Sequence, residues 1–424
     1  MKVTSFHFMP YRDLPDDVED RYRSVWVDAP WSELGDARKA GDYFNQSIDE
    51  LMLAAEVGFD GLGTNEHHQN PYGFMCNPNL FGSILARLTR ERGFDDVAIV
   101  QLGATLAATS PPIRIAEEYA VLDCLSGGRL IAGVPVGIGS DAGLSYGVTP
   151  IDQRARWREG IELMLKAWTS TENFAWNGEH YQLRNVNLWP RPIQEPHPPL
   201  LVPGAHSPST WDMCHSRNWP YAFLSYFGAG AAEAAMDRFW DRAEVHGRDR
   251  NPYRASFLQL VAVADTDEEA EVLYGEHLEF FYKKLLHQPP QYFTPPGYVE
   301  YPAQVGAFRS MLASPPVDLK ALSAKDMIER GFAVVGSPAT VRDRLEAIAR
   351  RLGIGHLMAI MQFGSMPHDL AERNIRLMGT EVLPHLQRVW DAEGWENHWW
   401  PLAASRPVDV VSQGDTTSGR EATR

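Results

Sequence analysis

Cysteine is scarce: Cys76, Cys124 and Cys214 stand far apart in 424 residues, with no CxxC spacing. Such usage excludes a disulfide framework or a thiolate zinc site and points to small core residues in a reducing compartment. Positive charge is also in short supply, 39 Lys and Arg against 55 Asp and Glu, giving a net charge of −16. That balance speaks against a nucleic-acid surface and against anionic membranes. No apolar run reaches the ~18 residues of a membrane span. The opening "MKVTSFHFMPYRDLPDD" has no apolar signal core and no cleavage site, so a cytoplasmic protein is expected. The GxGxxG fingerprint of a dinucleotide fold does not follow the first apolar run, and neither GxSxG nor HExxH occurs.

What is present is a globular composition, 44% hydrophobic, arranged as apolar runs alternating with helical patterns. "KVTSFHFM" (2–9) reads as a first strand and "GFDGLGT" leads into a second. "SIDELMLAAEVG" carries a capping-box pattern, Ser47 with Glu50, and puts Ile48, Leu51, Met52 and Ala55 on one helical face. "VAIVQLGATLAA" (97–108) reads as an unbroken strand covered on both faces. A helix closing at Gly127, a strand at "RLIAGVPVG" and a helix near 152–169 come next. "FAWNGEHYQLRNVNLWP" reads as a hairpin, and further strands are expected at "LLVPGA", "YAFLSYF", "FLQLVAVA" and "HLMAIMQF". About eight strands separated by helices predict an α/β chain folded as a (β/α)8 TIM barrel.

Two stretches exceed a minimal barrel, residues 10–44 and the Pro- and aromatic-rich residues 275–325. Long insertions of this kind are commonly lids, and a βα connection emerges at the C-terminal face, where barrel active sites lie. One barrel domain over 1–390 is expected, with 391–424 as a partly disordered extension.

Chemistry concentrates in "GFDGLGTNEHHQNPYG" (58–73), which places Glu66, His67 and His68 at the end of the second strand. Side chains there point into the reaction space, and an imidazole exchanges protons near neutral pH. Metal ligation is disfavoured, because neighbouring residues on a strand face opposite ways. A plain hydrogen-bond cluster is the competing reading. In "PGAHSPSTWDM", Ser207 and Pro208 have the form of a helix start, with Ser209 and Thr210 beside exposed N–H groups suited to a phosphate. The same grammar recurs at "GSPATV" (336–341), so simple capping remains an alternative. Arg154, Arg156 and Arg158 follow a glycine-rich loop; one can pair with phosphate while the others form a solvated face. Arg129, in "LDCLSGGRL", reads as structural.

Together "GFDGLGTNEHH", "TSPPIRIAEEYAVLDCLSGGRLIAGVPVG", "YGVTPIDQR", "GAHSPST" and "VGSPATV…FGSMPHDLAERNIRLMGTEVLPHL" resemble the bacterial luciferase-like flavin monooxygenase family, from residue 2 to about 388. The resemblance implies FMN at the C-terminal face, supplied reduced by a separate NAD(P)H:flavin reductase. It also implies capture of O2 at the flavin C4a, oxygenation of an organic substrate, and a homo-oligomer. By the same resemblance His67 assists the flavin–oxygen chemistry, with Glu66 and His68 in support. His206, Ser207, Thr210 and Arg154 match the phosphate site. Leu102 and Gly103 match a cis peptide beneath the ring, and Tyr226 matches an aromatic beside it. Val136 replaces a phosphate-binding arginine of luciferase, and His206 replaces a glutamate. That departure keeps open an F420-dependent hydride-transfer oxidoreductase, and a non-catalytic flavin-binding subunit is the reading from another class. Trp26, Trp31, Phe74, Trp189 and Phe227 are the expected walls of a dry cavity for an apolar or aromatic substrate.

Overall fold

Apolar runs of four to nine residues, each followed by a crossover, assemble into one parallel sheet. The computed structural model describes residues 1–224, 226–293, 295–298 and 318–405. Its strands are β1 (Lys2–His7), β2 (Gly61–Thr64), β3 (Ala98–Gln101), β4 (Leu130–Gly133), β5 (Phe174–Asn177) and β6 (Gln182–Val186). They continue with β7 (Leu200–Gly204), β8 (Tyr221–Phe223), β9 (Ala255–Val263), β10 (Ala333–Gly336) and β11 (His356–Ile360). The ring runs β11-β1-β2-β3-β4-β7-β8-β9, and β9 closes it by pairing with β11 over Ser256–Leu260. This is the expected (β/α)8 barrel. β5 and β6 form the expected antiparallel hairpin outside the ring. β10, which the sequence reading passes over, extends the sheet along Leu260–Val263 of β9.

Helices fill the connections: α1 (Val18–Arg21), α2 (Trp31–Leu34), α3 (Ala37–Glu56), α4 (Pro78–Glu91), α5 (Ile113–Ser126), α6 (Pro150–Thr169) and α7 (Pro208–Arg217). Then come α8 (Gly228–Val245), α9 (Asp267–Phe280), α10 (Pro290–Phe293), α11 (Ala324–Glu329), α12 (Pro338–Leu352), α13 (His368–Leu377) and α14 (Leu383–Leu386). None among the described residues is long and apolar enough to cross a membrane. Strand alternation sorts the core. Phe6, Val100, Leu102, Ile131, Leu201 and Met358 fill the barrel interior with the lid residues. Val3, Leu62, Ile99, Leu130 and Leu357 pack outward beneath the helices. Arg129 ties the structure as read from sequence: buried, it donates to the carbonyls of Val97 at 2.6 Å and Ser126 at 2.7 Å. Gly127 ends α5 at φ 72°, a conformation for which glycine carries no steric cost.

Two local readings need correction. "VAIVQLGATLAA" is no long strand: β3 ends at Gln101, and the chain then turns across the barrel mouth. Its apolar tail reflects a buried loop, with Ala104 to Ala107 fully covered. Ser47 and Glu50 are no capping box either, because α3 starts ten residues earlier, with Asp36 accepting from the Arg38 and Lys39 N–H groups. Ser47 instead donates to the Tyr43 carbonyl at 2.7 Å. The first long connection therefore ends at Asp36.

The C-terminal extension plugs the opposite end of the barrel. Trp399 and Trp400 are buried there; Trp399 donates to the Asn218 carbonyl at 2.7 Å, and Trp400 lies 5.5 Å from the His356 ring. The remainder, from residue 406, falls outside the described residues.

Glu50 sits in an ion cluster at the foot of the first connection. It meets His7 Nε2 and His368 Nδ1 at 2.8 Å each and Arg12 Nη2 at 3.4 Å. His7 Nδ1 accepts from the Met9 N–H, so its Nε2 carries the proton donated to Glu50. Burial opposes the carboxylate charge, yet His368, His7 and Arg12 outweigh it and hold the Glu50 pKa down at about 2, against an ordinary 4.5. A lowered carboxylate pKa stabilises the fold above the unfolded value and loses that contribution as the pH falls towards about 2. His368 is raised by the same contact, so its share is complete below its unfolded pKa and is lost as the pH rises through the folded one. Glu50→Gln is expected to cost about 3 kcal/mol at neutral pH and to flatten the acid limb of a melting-temperature profile. Urea unfolding across that range is the measurement.

Candidate active site

Side chains at the C-terminal ends of β2, β3 and β4 converge because parallel strands bring all their βα loops to one face. After β2 the chain turns at Asn65–His68, and after β4 it makes a tight turn over Gly139–Gly143. Asp141, in that second turn, accepts from His67 Nδ1 at 2.5 Å through Oδ2 and from the His68 backbone N–H at 2.6 Å through Oδ1. It is buried, and Asn70 Nδ2 lies 3.4 Å from the same Oδ1. A carboxylate on Nδ1 fixes the imidazole tautomer and leaves Nε2 as the proton-accepting nitrogen of His67. Asp141 is the residue that sequence reading missed. Its signal was a lone acidic residue in the small-residue loop "GIGSDAG".

Glu66 has a different task. Its Oε1 accepts from His68 Nε2 at 2.5 Å and Thr105 Oγ1 at 2.6 Å, while Oε2 takes the Thr105 N–H at 2.9 Å. Both oxygens are thus engaged, and Glu66 with His68 ties the β2 end to the loop after β3. Glu66 and His68, expected in support of His67, are thus hydrogen-bonded to each other. Gly103 passes so close to Glu66 that a Cβ would lie 2.5 Å from the Glu66 nitrogen. The Leu102–Gly103 peptide is not cis; cis bonds among the described residues are Ser110–Pro111, Trp189–Pro190 and Glu195–Pro196. The bare glycine gives the close approach in the trans form.

Both long insertions meet above this cluster. The Val25 N–H donates to the His287 carbonyl at 3.0 Å and Trp26 Nε1 to the Leu285 carbonyl at 2.7 Å. Trp26 stacks on Tyr72 with 4.6 Å between ring centres and stands edge-on to His67 at 5.6 Å. Tyr72, fully buried, is edge-on to His67 at 4.7 Å and shares a hydrogen bond between hydroxyls with Tyr226. Phe293 meets Trp26 at 5.6 Å, and Tyr298 donates to the Gly137 carbonyl at 2.7 Å, joining the lid to the Asp141 loop. Of the five expected walls, Trp26 belongs to this cluster, and so does Tyr226, expected beside the ring. Trp31 is 54% exposed against Tyr11, and Phe74 packs on Phe44 and Tyr11. Phe227 is 44% exposed against Phe332, and Trp189 is 82% exposed. These four rings sit where the lid and loops face outward or where α3 and α4 pack, a placement that ring type does not encode.

A second corner forms where α6 meets the start of α7. Arg154 Nη1 donates to Thr210 Oγ1 at 3.2 Å, and Arg158 Nη2 reaches Ser209 Oγ at 3.5 Å. Ser207 occupies the N-cap position without capping; its Oγ lies 3.2 Å from that of Ser209. Ser337, with the same Ser-Pro grammar, does cap its helix by accepting from the Thr340 N–H. The two sites that read alike in sequence thus differ: the Ser207 side chain makes no cap bond to α7, whose Thr210 and Trp211 N–H groups donate to the Ser207 carbonyl at 3.1 and 3.2 Å. Arg156 lies over the Tyr181 ring instead. His206 is exposed, 5.4 Å from Phe223, and Val136 is buried.

A closed parallel barrel with an oriented histidine, an anion corner and an aromatic lid on its C-terminal face is a small-molecule enzyme of the (β/α)8 class. The family model described as "Luciferase-like monooxygenase" matches residues 27–356. The chain belongs to this family, and falls among the flavin-dependent monooxygenases. It is 26% identical over 257 residues to the oxygenase component of flavin-dependent trigonelline monooxygenase from Acinetobacter baylyi, covering 58% of this chain and 67% of that protein. The oxygenating constituent of 3,6-diketocamphane monooxygenase from Pseudomonas putida, solved with FMN, shares the fold at TM-score 0.65 and 19% identity, covering 91% and 98% of the two chains. An F420-dependent secondary alcohol dehydrogenase shares it at TM-score 0.62 and 17% identity, covering 91% and 98%.

Removing the Asp141 carboxylate isolates its role. Asp141→Ala is expected to lower stability by about 2 kcal/mol, the scale of hydrogen bonds to a charged group. In 15N-labelled protein the protected His67 Nδ1–H resonance should vanish with it. A resonance that persists in the variant would show that Asp141 does not fix the tautomer.

Proposed function

We propose that the chain is the oxygenase component of a two-component FMN-dependent monooxygenase, which inserts one oxygen atom of O2 into an apolar or aromatic organic molecule. The observation that carries this reading is the Asp141–His67 pair, held at 2.5 Å beneath an aromatic lid on a family-typical barrel. A reduced flavin, once bound, supplies the electrons that activate O2. The reductant would come from a separate NAD(P)H:flavin reductase, as the "oxygenase component" in a relative's name supports.

The residues present fit that cofactor. The Ser207 and Thr210 hydroxyls and the Arg154 guanidinium would form a donor set for the phosphate, and Arg158 brings a second guanidinium where Val136 cannot. Leu102, Gly103 and Tyr226 lie at strand ends bordering the mouth. His67 would take or return a proton through Nε2, while Asp141 keeps the ring oriented. Trp26, Tyr72 and Phe293 would exclude water and favour an apolar substrate. The F420 alternative keeps the same barrel and phosphate corner, supported by an F420-dependent neighbour. The intact His67–Asp141 pair weighs against a silent subunit. Leu80, Ile84, Val121 and Leu125, exposed on adjoining α4 and α5, support self-association, and a monomer in sedimentation velocity would count against it.

Anaerobic titration with reduced FMN and with reduced F420, followed by an O2 pulse, tests the reading. Saturable binding of reduced FMN is expected, with His67→Ala changing the rate of flavin reoxidation on the order of 10²-fold. Arg154→Ala should weaken FMN about 10-fold and leave riboflavin, which has no phosphate, unchanged. Binding of F420 without FMN would turn the function to hydride transfer. Unchanged kinetics in His67→Ala would remove it from the chemistry.

A further inference from the structure

Asn65 is the residue immediately after β2 and immediately before Glu66. Strand alternation sorts the residues before it. Thr64 faces outward, donating to Gln101 Oε1 at 2.7 Å. Gly61 and Gly63 face inward, where a Cβ would meet Thr4, Val100 and Phe6. Asn65 follows directly, the first residue of the turn that carries His67 and two residues before the His67–Asp141 pair. It is 5% exposed, yet neither Oδ1 nor Nδ2 has a hydrogen-bond partner among the described residues. Its neighbours contrast with it, since the Glu66 carboxylate, the His68 imidazole and the Asn70 amide are all engaged. Ser140, next to Asp141 in the facing turn, is likewise buried with an unpaired Oγ.

A buried primary amide with both groups unmatched is costly in a folded chain. Such a group calls for a partner, and beside a small-molecule site a ligand is one candidate. A carboxamide offers one donor and one acceptor in a plane, and its complement is an imide or amide edge. The pyrimidine end of a flavin presents that edge as N3–H between the O2 and O4 carbonyl oxygens. We propose that Asn65 is a cofactor-binding residue that pairs with the N3–H and O4 edge of the isoalloxazine ring. This rests on the flavin reading above. The carbon that bears O4 is bonded to C4a, so an anchor at residue 65 brings the reacting end of the ring towards His67, two residues on. A 5-deazaflavin carries the same edge, so the assignment holds for FMN and F420 alike.

Two measurements test this without turnover. Wild type should bind FMN about 10-fold more tightly than N3-methyl-FMN, as fluorescence quenching reads it, because the methyl group removes the paired N–H. Asn65→Leu, similar in volume, should bind both with equal affinity. The flavin-free variant should melt at the same or a higher temperature than wild type, since an unmatched amide has been replaced by an apolar side chain. A lower melting temperature would assign Asn65 a structural role and overturn the proposal while leaving the flavin reading intact. An unchanged FMN to N3-methyl-FMN ratio in Asn65→Leu would overturn it too. Failure of wild type to bind FMN or F420 at all would instead remove the flavin reading, and the Asn65 assignment with it.

Discussion

The Asp141 carboxylate holds the site together. One oxygen fixes the His67 ring and the other takes the backbone N–H of His68, so one side chain from the β4 loop organises the whole turn after β2. The two segments are 74 residues apart in sequence. Their meeting is possible only because parallel strands deliver successive loops to one end of a closed barrel. Burial strengthens the contact, because a charge-assisted hydrogen bond is little screened in a water-poor environment.

Around that pair the site divides its labour between strand ends. The loops after β2 and β3 are locked by Glu66, which His68 and Thr105 engage on both oxygens. The Arg154–Thr210 corner is built separately, from α6 and the start of α7. Above both, the lid is a composite in which Trp26 from the first insertion hydrogen-bonds Leu285 from the second. The described parts of the two insertions meet there, on the Tyr72 ring. A lid assembled in this way can exclude water only when both parts are docked.

The rest of the barrel supplies rigidity at its two ends. Trp399 and Trp400 close the end opposite the site, packing on His356 and hydrogen-bonding Asn218. At the active end, Glu50 gathers His7, Arg12 and His368 from the first strand, the foot of the lid and the helix after the last strand. The lid's root is therefore tied to the barrel seam where β11 meets β1.

Much of this was legible in the residues. The alternation of apolar runs and helical patterns specified a (β/α)8 barrel, since strand period and crossover length are local properties. Glu66, His67 and His68 stood out at a strand end, and Ser207, Thr210 and Arg154 were named as one corner, which the fold brings together. Side-chain partnership was not legible. Glu50 read as a local cap because Ser47 lies three residues before it, but the helix had begun earlier and tertiary packing had claimed both. The expected walls Trp31, Phe74, Trp189 and Phe227 were chosen by ring type, and ring type does not say which way a loop faces. By itself, then, the sequence determined the barrel and put Glu66, His67 and His68 at the end of its second strand. Only the tertiary structure decided that Asp141 orients His67, that Glu66 and His68 occupy each other, and that the Ser207 side chain, unlike that of Ser337, does not cap its helix. The reason is physical: periodicity is written between neighbours, whereas hydrogen bonds across a barrel mouth depend on where closure of the sheet brings distant loops.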